Sequence, residues 1–462
     1  MISKERRNEL VILICKIALV LLDTAVFAYI WYRFFDKSLY VPFYARGNYV
    51  VIAFFAVVYY WAANLYGGFL LTQSMPTELI YSNGIAAILS GIIMYFIIWL
   101  LVRHLPQVMP FVWGMLAWIV IAAAWAWPAH MLVTHVDPPC RTLIVYDNRQ
   151  AYGKAKTITQ EVGWRFNVVG RVRATEPDEV IIKKISDTKA EGVMLCGVHS
   201  SRRNEILKYC LAQYMKVFIR PSIGDLLFST AQPMQVANLP LYVCQQSQAS
   251  VGYLAVKRLF DILLGLVGLV IASPFMLATA IAIKIDDGGP ILYKQKRLTK
   301  YRREFYVYKF RSMQVDAEKD GVARLAAEHD DRITRVGRVI RAARIDELPQ
   351  IFNIIAGDMS IVGPRPERPE IAAEYEKVIP EFALRLQAKA GLTGYAQVYG
   401  KYNTSPYDKL QMDLLYIGKQ GLLTDLKIIL MTIKIIFMKD STEGVEAGQL
   451  TAEQLKDGSD DE

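Results

Sequence analysis

The chain has 462 residues, 53% of them hydrophobic, and a net charge of +9. That length allows two or three domains, and the apolar fraction is high for a soluble protein. The positive balance suits work beside anionic lipid or on phosphorylated substrates; with no basic helix or aromatic RNA-binding signature beside it, it does not point to nucleic acid.

Most of the apolar excess lies before residue 135, and a second block follows near 259–283. Four stretches, about 10–32, 48–71, 78–102 and 108–134, have the length and apolarity of membrane helices. The first is too long, and followed by too many others, to be a cleavable signal peptide. Trp31, Tyr32, Trp99 and Trp113 fall near span ends, where amphipathic rings prefer the interface. Lys4, Arg6 and Arg7 favour a cytoplasmic N-terminus, while Arg33, Lys37 and Arg46 pull the other way. Lys16 and Asp23 lie inside the first span; the simpler reading is that Lys16 snorkels and Asp23 faces neighbouring helices.

From residue 141 the pattern changes. Short β-rich runs at 141–146, 166–170, 192–198 and 216–220 alternate with helical segments such as 201–214. Alternation of this kind predicts a parallel sheet with crossover helices, a small Rossmann-like domain. Its first strand is followed by Asp147-Asn148-Arg149-Gln150, with none of the glycines a dinucleotide site needs, so a structural or regulatory module is expected. The five cysteines, Cys15, Cys140, Cys196, Cys210 and Cys244, have no metal-ligand spacing and read as packed thiols in a reducing compartment.

The apolar block at 259–283 follows Lys257-Arg258 and contains Ser273-Pro274. Proline removes a backbone donor and crowds the preceding turn. The block is therefore expected to form a re-entrant helix, broken at Ser273-Pro274, that keeps the segments on either side of it on one face of the membrane. A serine hydroxyl there can satisfy a freed carbonyl. Beyond it come Lys294, Lys296, Arg297, Lys300, Arg302, Arg303, Lys309 and Arg311, where cations would meet lipid phosphates.

Three later segments concentrate chemistry. Tyr308 to Met313 carries Lys309 and Arg311 on alternating positions of an expected strand. Arg341 to Gln350 brings two arginines to the adjacent carboxylates Asp346 and Glu347. One carboxylate could act as an aspartyl nucleophile and the other could hold a divalent cation. Alternatively, Asp346 is the N-cap of a helix over about 347–356; both readings can hold together, since a helix N-terminus also favours anions. In Gly357 to Glu367, Arg365 stands between two prolines that stiffen its backbone, and guanidinium grips phosphate bidentately.

From about Leu254 to Met438 the chain resembles the catalytic domain of bacterial sugar transferases, the monotopic phosphoglycosyl transferases. The resemblance is carried by Lys257-Arg258, Ser273-Pro274, KFRSM (309–313), DELPQ (346–350), GDMSIVGPRPE (357–367) and GLTGYAQV (391–398). The spans and the Rossmann-like domain resemble the larger members, which include undecaprenyl-phosphate glucose and galactose phosphotransferases. The expected fold is a membrane α-helical bundle plus α/β: four transmembrane helices over 1–139, the Rossmann-like domain over 140–249, an α/β transferase domain with its re-entrant helix over 250–440, and a mobile acidic tail over 441–462.

The resemblance implies a ping-pong transfer of sugar-1-phosphate from a UDP-sugar to undecaprenyl phosphate, initiating exopolysaccharide, capsule or O-antigen assembly. By similarity Asp346 is the nucleophile, Glu347 assists and places Mg²⁺, and Lys309, Arg341 and Arg365 bind phosphate oxygens. Asp413 matches a further acidic position at the substrate site. The protein would sit in the bacterial inner membrane with its soluble parts in the cytoplasm, and the larger relatives suggest a homodimer. Two departures bear on loop shape and donor choice: Arg344-Ile345 where many members have Ser-Leu, and Lys389-Ala390-Gly391 where many have Lys-Pro-Gly. The competing readings are a nucleotide-sugar dehydratase or epimerase, which lacks its glycine fingerprint here, and a non-catalytic membrane scaffold, which would not need the intact Asp346-Glu347 pair.

Overall fold

Long runs without charge leave backbone amides in lipid with no partner but their own chain, so such runs become helices. In the computed structural model, which describes residues 4–44, 46–244, 249–314, 332–400 and 404–436, the four runs expected from the sequence are helices. They are α1 (Lys4–Ile30), α2 (Gly47–Leu65), α3 (Pro76–Val102) and α4 (Met109–Val136), each long and apolar enough to cross a membrane. They pack through stacked aromatics: Phe55 meets Phe27 at 4.4 Å and Trp118 at 5.3 Å between ring centroids. Asp23 is buried there, and its backbone carbonyl accepts a hydrogen bond from Trp118 Nε1 at 3.0 Å.

The chain divides into two compact units, Met1–Arg220 and Pro221–Glu462. The first also contains β1 (Cys140–Tyr146), α5 (Arg149–Glu161), β2 (Phe166–Arg173), α6 (Asp178–Asp187), β3 (Gly192–Cys196), α7 (Ser200–Ala212) and β4 (Lys216–Ile219). The strands form one parallel sheet in the order β2-β1-β3-β4. Leu143, Val145, Val193 and Leu195 are fully buried beneath the crossover helices. In place of a glycine-rich turn, the Asn148 side chain caps α5 by accepting from Ala151 N at 2.8 Å.

The second unit starts earlier than the expected boundary at 250. It takes in α8 (Ile223–Ser229) and the hairpin of β5 (Gln232–Val236) and β6 (Leu239–Val243). The physical tie is local: Gln411 Nε2 donates to the Pro221 carbonyl at 2.6 Å, and α8 packs on the helix that carries Gln411.

The spine of this unit is α9 (Val251–Asp287), a single helix of 37 residues. The expected break at Ser273-Pro274 is therefore not an interruption of the helix. Pro274 cannot donate to the carbonyl four residues back, that of Val270. The Ser273 hydroxyl donates to that same carbonyl at 2.8 Å, so the helix continues with its polar groups satisfied.

Around α9 fold the antiparallel hairpin of β7 (Leu292–Leu298) and β8 (Glu304–Phe310), then α10 (Arg335–Ala342) and α11 (Gln350–Ala356). The parallel pair β9 (Ser360–Val362) and β10 (Gly391–Thr393) brackets α12 (Pro369–Val378). Then α13 (Tyr395–Tyr399), α14 (Pro406–Gly418) and α15 (Leu422–Ile436) follow. The backbones of Gly363 and Gly391 meet so closely that a Cβ on Gly391 would lie 2.1 Å from Gly363 N; this contact explains a glycine in each of two motifs. The expected acidic tail, 441–462, lies outside the described residues.

The repair at Pro274 can be tested by thermal unfolding in nanodiscs. Ser273→Ala leaves the Val270 carbonyl unpaired and lowers stability by about 1 kcal/mol. Adding Pro274→Ala restores an amide donor and recovers the loss. Equal melting temperatures for the wild type and Ser273→Ala would show that the hydroxyl contributes nothing.

Candidate active site

The carboxylate pair does not sit in a helix. α10 ends where Arg344 adopts a left-handed conformation (φ 55°), and Ile345–Glu347 form one 3-10 turn closed by Leu348 N donating to the Ile345 carbonyl at 3.1 Å. α11 begins only at Gln350, with Pro349 at its N-cap position. The sequence reading of Asp346 as the N-cap is thus corrected: the left-handed residue and the tight turn move the helix start three residues on, and the Asp346 side chain makes no capping bond.

The two carboxylates meet different surroundings. Glu347 Oε1 accepts from Lys309 Nζ at 3.0 Å and from Arg365 Nη2 at 2.8 Å. Burial pushes the Glu347 carboxyl up, but Arg365 and Lys309 outweigh it and hold the group well below the ordinary glutamate range. Asp346 is half-buried and has no ion pair or side-chain hydrogen bond among the described residues. Burial and the neighbouring Glu347 charge raise its carboxyl above the ordinary value, against the opposing pull of Lys309, Arg341 and Arg365. Arg341 lies in the last turn of α10 and acts on Asp346 through space. The structure therefore brings five of the expected site residues together: Asp346, Glu347, Lys309, Arg341 and Arg365.

Asp413 is not among them. It is 1% exposed on α14, and Arg385 Nη2 lies 2.7 Å from its Oδ2. The structure places the Asp413 carboxylate as a buried counter-charge to Arg385. Ser273 and Pro274 lie on α9, where their bond to Val270 serves the helix.

Neighbouring residues hold the site in shape. Asn353, fully buried on α11, accepts from Tyr308 N at 3.0 Å and donates to the Tyr306 carbonyl at 2.7 Å. That double bond ties α11 to the edge of β8 and so places Lys309 opposite Glu347. The turn that presents Arg365 has four consecutive carbonyls occupied. Gly391 N donates to Pro364 O at 2.9 Å, Arg385 Nη2 to Arg365 O at 3.0 Å, Arg297 Nη1 to Pro366 O at 3.0 Å, and Leu298 N to Glu367 O at 2.9 Å. The prolines were legible in the sequence. Asn353, Arg297 and Arg385 were not, because each acts through a partner at least 20 residues away and stands in no motif. Asp261 was hidden for the same reason, and Arg258, though in a motif, gave no sign of its distant partners. Arg258 donates to the Ile354 and Ile355 carbonyls, both at 2.6 Å, and Asp261 accepts from Ser360 Oγ at 3.1 Å and Ile361 N at 2.9 Å.

Three cations around a half-buried carboxylate that has no ion pair among the described residues, with a second carboxylate as internal counterion, make a site suited to a phosphorylated ligand and a nucleophile that attacks phosphorus. Among the described residues no group of three His, Cys, Asp or Glu side chains is placed to hold a metal. The described residues thus combine helices long and apolar enough to cross a membrane with a site that gathers three cations around two carboxylates.

Residues 252–439 match the family described as bacterial sugar transferase. The chain is 42% identical over 187 residues to a UDP-N-acetylgalactosamine-undecaprenyl-phosphate N-acetylgalactosaminephosphotransferase of Aeromonas hydrophila, covering 40% of this chain and 44% of that protein. It is 34% identical over 267 residues to a UDP-glucose:undecaprenyl-phosphate glucose-1-phosphate transferase of Xanthomonas campestris pv. campestris, 56% of this chain and 55% of the relative. A protein of the same description in Caulobacter vibrioides is 40% identical over 190 residues, 40% of this chain and 71% of the relative. The match thus spans about half the length of the first two relatives. The chain belongs to the bacterial sugar transferase family.

The counterion role of Glu347 has a pH signature. Its carboxyl is depressed in the folded state, so its contribution to stability is full above the unfolded value of about 4.3 and fades as pH falls toward the folded one. Glu347→Gln should cost about 1.5–3 kcal/mol at pH 7, the range for hydrogen bonds to charged groups. Thermal unfolding should show the gap to wild type narrowing below about pH 4.3. A gap that stays constant across that range would refute the pairing.

Proposed function

We propose that the protein transfers a sugar-1-phosphate from a UDP-sugar to undecaprenyl phosphate in the bacterial inner membrane, with its active site toward the cytoplasm. The reaction would start an exopolysaccharide, capsule or O-antigen glycan. The observation that carries the reading is the division of labour at the carboxylate pair: Glu347 is gripped by Lys309 and Arg365, while Asp346 is unpaired within their field. The names of the relatives support the donor and acceptor classes.

Two displacements complete the reaction. An Asp346 carboxylate oxygen attacks the β-phosphorus of the donor. The bond from that phosphorus to the bridging oxygen breaks, UMP leaves with that oxygen, and a sugar-phosphoryl-aspartyl ester remains. A phosphate oxygen of undecaprenyl phosphate then attacks the same phosphorus and expels the Asp346 carboxylate, giving the lipid diphosphate sugar. Lys309, Arg341 and Arg365 offset charge gathering on the phosphoryl oxygens, where most of the catalysis of such transfers arises. Glu347 keeps Lys309 and Arg365 aimed before the donor arrives.

Mg²⁺ is expected with a diphosphate donor. Magnesium is commonly held by one or two carboxylates, completed by phosphate oxygens and water. The open Asp346 carboxylate beside Glu347 fits that donor set, whereas Glu347 Oε1 already accepts from two cations. When bound, the ion would neutralise phosphate charge.

Two predictions test this function. Asp346→Asn keeps the side-chain size but removes the anion, so UMP release from a panel of UDP-sugars should fall by orders of magnitude. Wild type given labelled donor without acceptor should retain a covalent sugar-phosphate that the variant lacks. Substantial turnover by folded Asp346→Asn protein sinks the assignment. The raised Asp346 carboxyl must also lose its proton before attack. The acidic limb of kcat/KM should therefore lie above the ordinary aspartate value of about 3.9, with the rate falling as pH drops through it. A profile flat down to that value would exclude Asp346 as the titrating nucleophile.

A further inference from the structure

We propose that Arg385, with Asp413 behind it, is the positioning residue that aims Arg365 at the donor diphosphate. The proposal rests on the functional reading above, and it assigns a role to two buried residues that touch no substrate. Arg385 is 4% exposed and Asp413 1%. One nitrogen of the Arg385 guanidinium, Nη2, reaches both Asp413 Oδ2 at 2.7 Å and the Arg365 carbonyl at 3.0 Å. The other terminal nitrogen, Nη1, lies 3.5 Å from Glu367 Oε1, two residues beyond Arg365.

A single buried cation thus holds the Arg365 turn by the backbone carbonyl at its centre and by the Glu367 side chain at its far side. The Arg365 side chain is 44% exposed and, among the described residues, is tied only to Glu347. With the backbone released, a guanidinium at the end of that long side chain would sample many directions, and a fork that must meet two phosphate oxygens at once tolerates little misalignment.

A purely structural role is the competing account, and energetics argue against it. Taking an arginine and an aspartate out of water costs enough that an apolar pair of similar volume often serves stability as well or better. Helix α14 could be packed on the turn by such a pair. What an apolar pair cannot do is donate to the Arg365 carbonyl. Asp413 answers the same need: a buried guanidinium requires a counter-charge, and Asp413 Oδ2 supplies it at 2.7 Å.

The test is a double-mutant cycle on the full-length protein in nanodiscs, with UMP release as the assay. The paired substitution Arg385→Met with Asp413→Leu removes both charges together and avoids stranding one of them. It should leave a cooperative thermal transition and lower kcat/KM by about tenfold or more, the scale on which misplacement acts. In an Arg365→Ala background the same pair should cause less than about a twofold further loss, because there is no guanidinium left to aim. Arg385→Lys supplies a second variant: it keeps the charge beside Asp413 but cannot reach the Arg365 carbonyl as well. It should hold the melting temperature while losing activity.

An equal loss from the pair in both backgrounds would overturn the proposal and leave Arg385 as scaffolding. So would wild-type kinetics in the folded pair variant, or full activity in Arg385→Lys. If the wild type releases no UMP from any UDP-sugar, the functional reading has failed instead. The same cycle read as affinity for inorganic pyrophosphate, which Arg365 would still grip, then decides the positioning role alone.

Discussion

An apolar helix that faces lipid has no preferred orientation toward the protein folded beside it; polar contacts must supply one. On α9 three charged residues within five positions do so. Lys257 pairs with Asp425 on α15, Arg258 takes the last carbonyls of α11, and Asp261 takes an amide and a hydroxyl of β9. Each contact is buried or half-buried, where a missing partner is costly and alternatives are correspondingly disfavoured. Gly357, left-handed at φ 96°, ends α11 where a Cβ would lie 3.2 Å from the Arg258 guanidinium, so the cap and the glycine require each other.

Once α11 and β9 are fixed to α9, the site follows by steps. Asn353 joins α11 to β8 and brings Lys309 forward. The close meeting of Gly363 and Gly391 joins β9 to β10, and the turn leaving β9 delivers Arg365 from the opposite side. Glu347 is where the two cations converge. Asp346, its neighbour in the chain, escapes pairing because the 3-10 turn points successive side chains in different directions. A carboxylate without an ion pair among the described residues thus remains beside Lys309, Arg341 and Arg365.

The first unit follows the same economy with different means. Its helices are held by stacked rings, and its sheet by a core of Val and Leu under crossover helices. There polar contacts finish element ends, as Asn148 does for α5, and tie helices together, as Trp118 does to the Asp23 carbonyl. In the second unit they decide which element goes where.

The amino-acid order by itself determined the elements whose signal is periodic or compositional: the four apolar spans, the alternation of strands and helices from residue 140 to 219, and the long apolar α9. It also exposed the residues whose chemistry is local, namely the Asp346-Glu347 pair, Lys309, Arg341 and the proline-flanked Arg365. Only the tertiary structure decided that, among the described residues, Asp346 is unpaired and Glu347 doubly paired, since adjacent carboxylates look alike until distant cations choose between them. Only it paired Asp413 with Arg385, 28 residues upstream in the chain. The break expected at Pro274 vanished for a related reason: proline propensity is a statement about a missing bond, and whether a helix breaks depends on what else can reach the vacated carbonyl. Here a hydroxyl one residue away does. Pattern and propensity act over a few residues and can be read along the chain. Pairing acts through space, and a single sequence does not order its charges by distance.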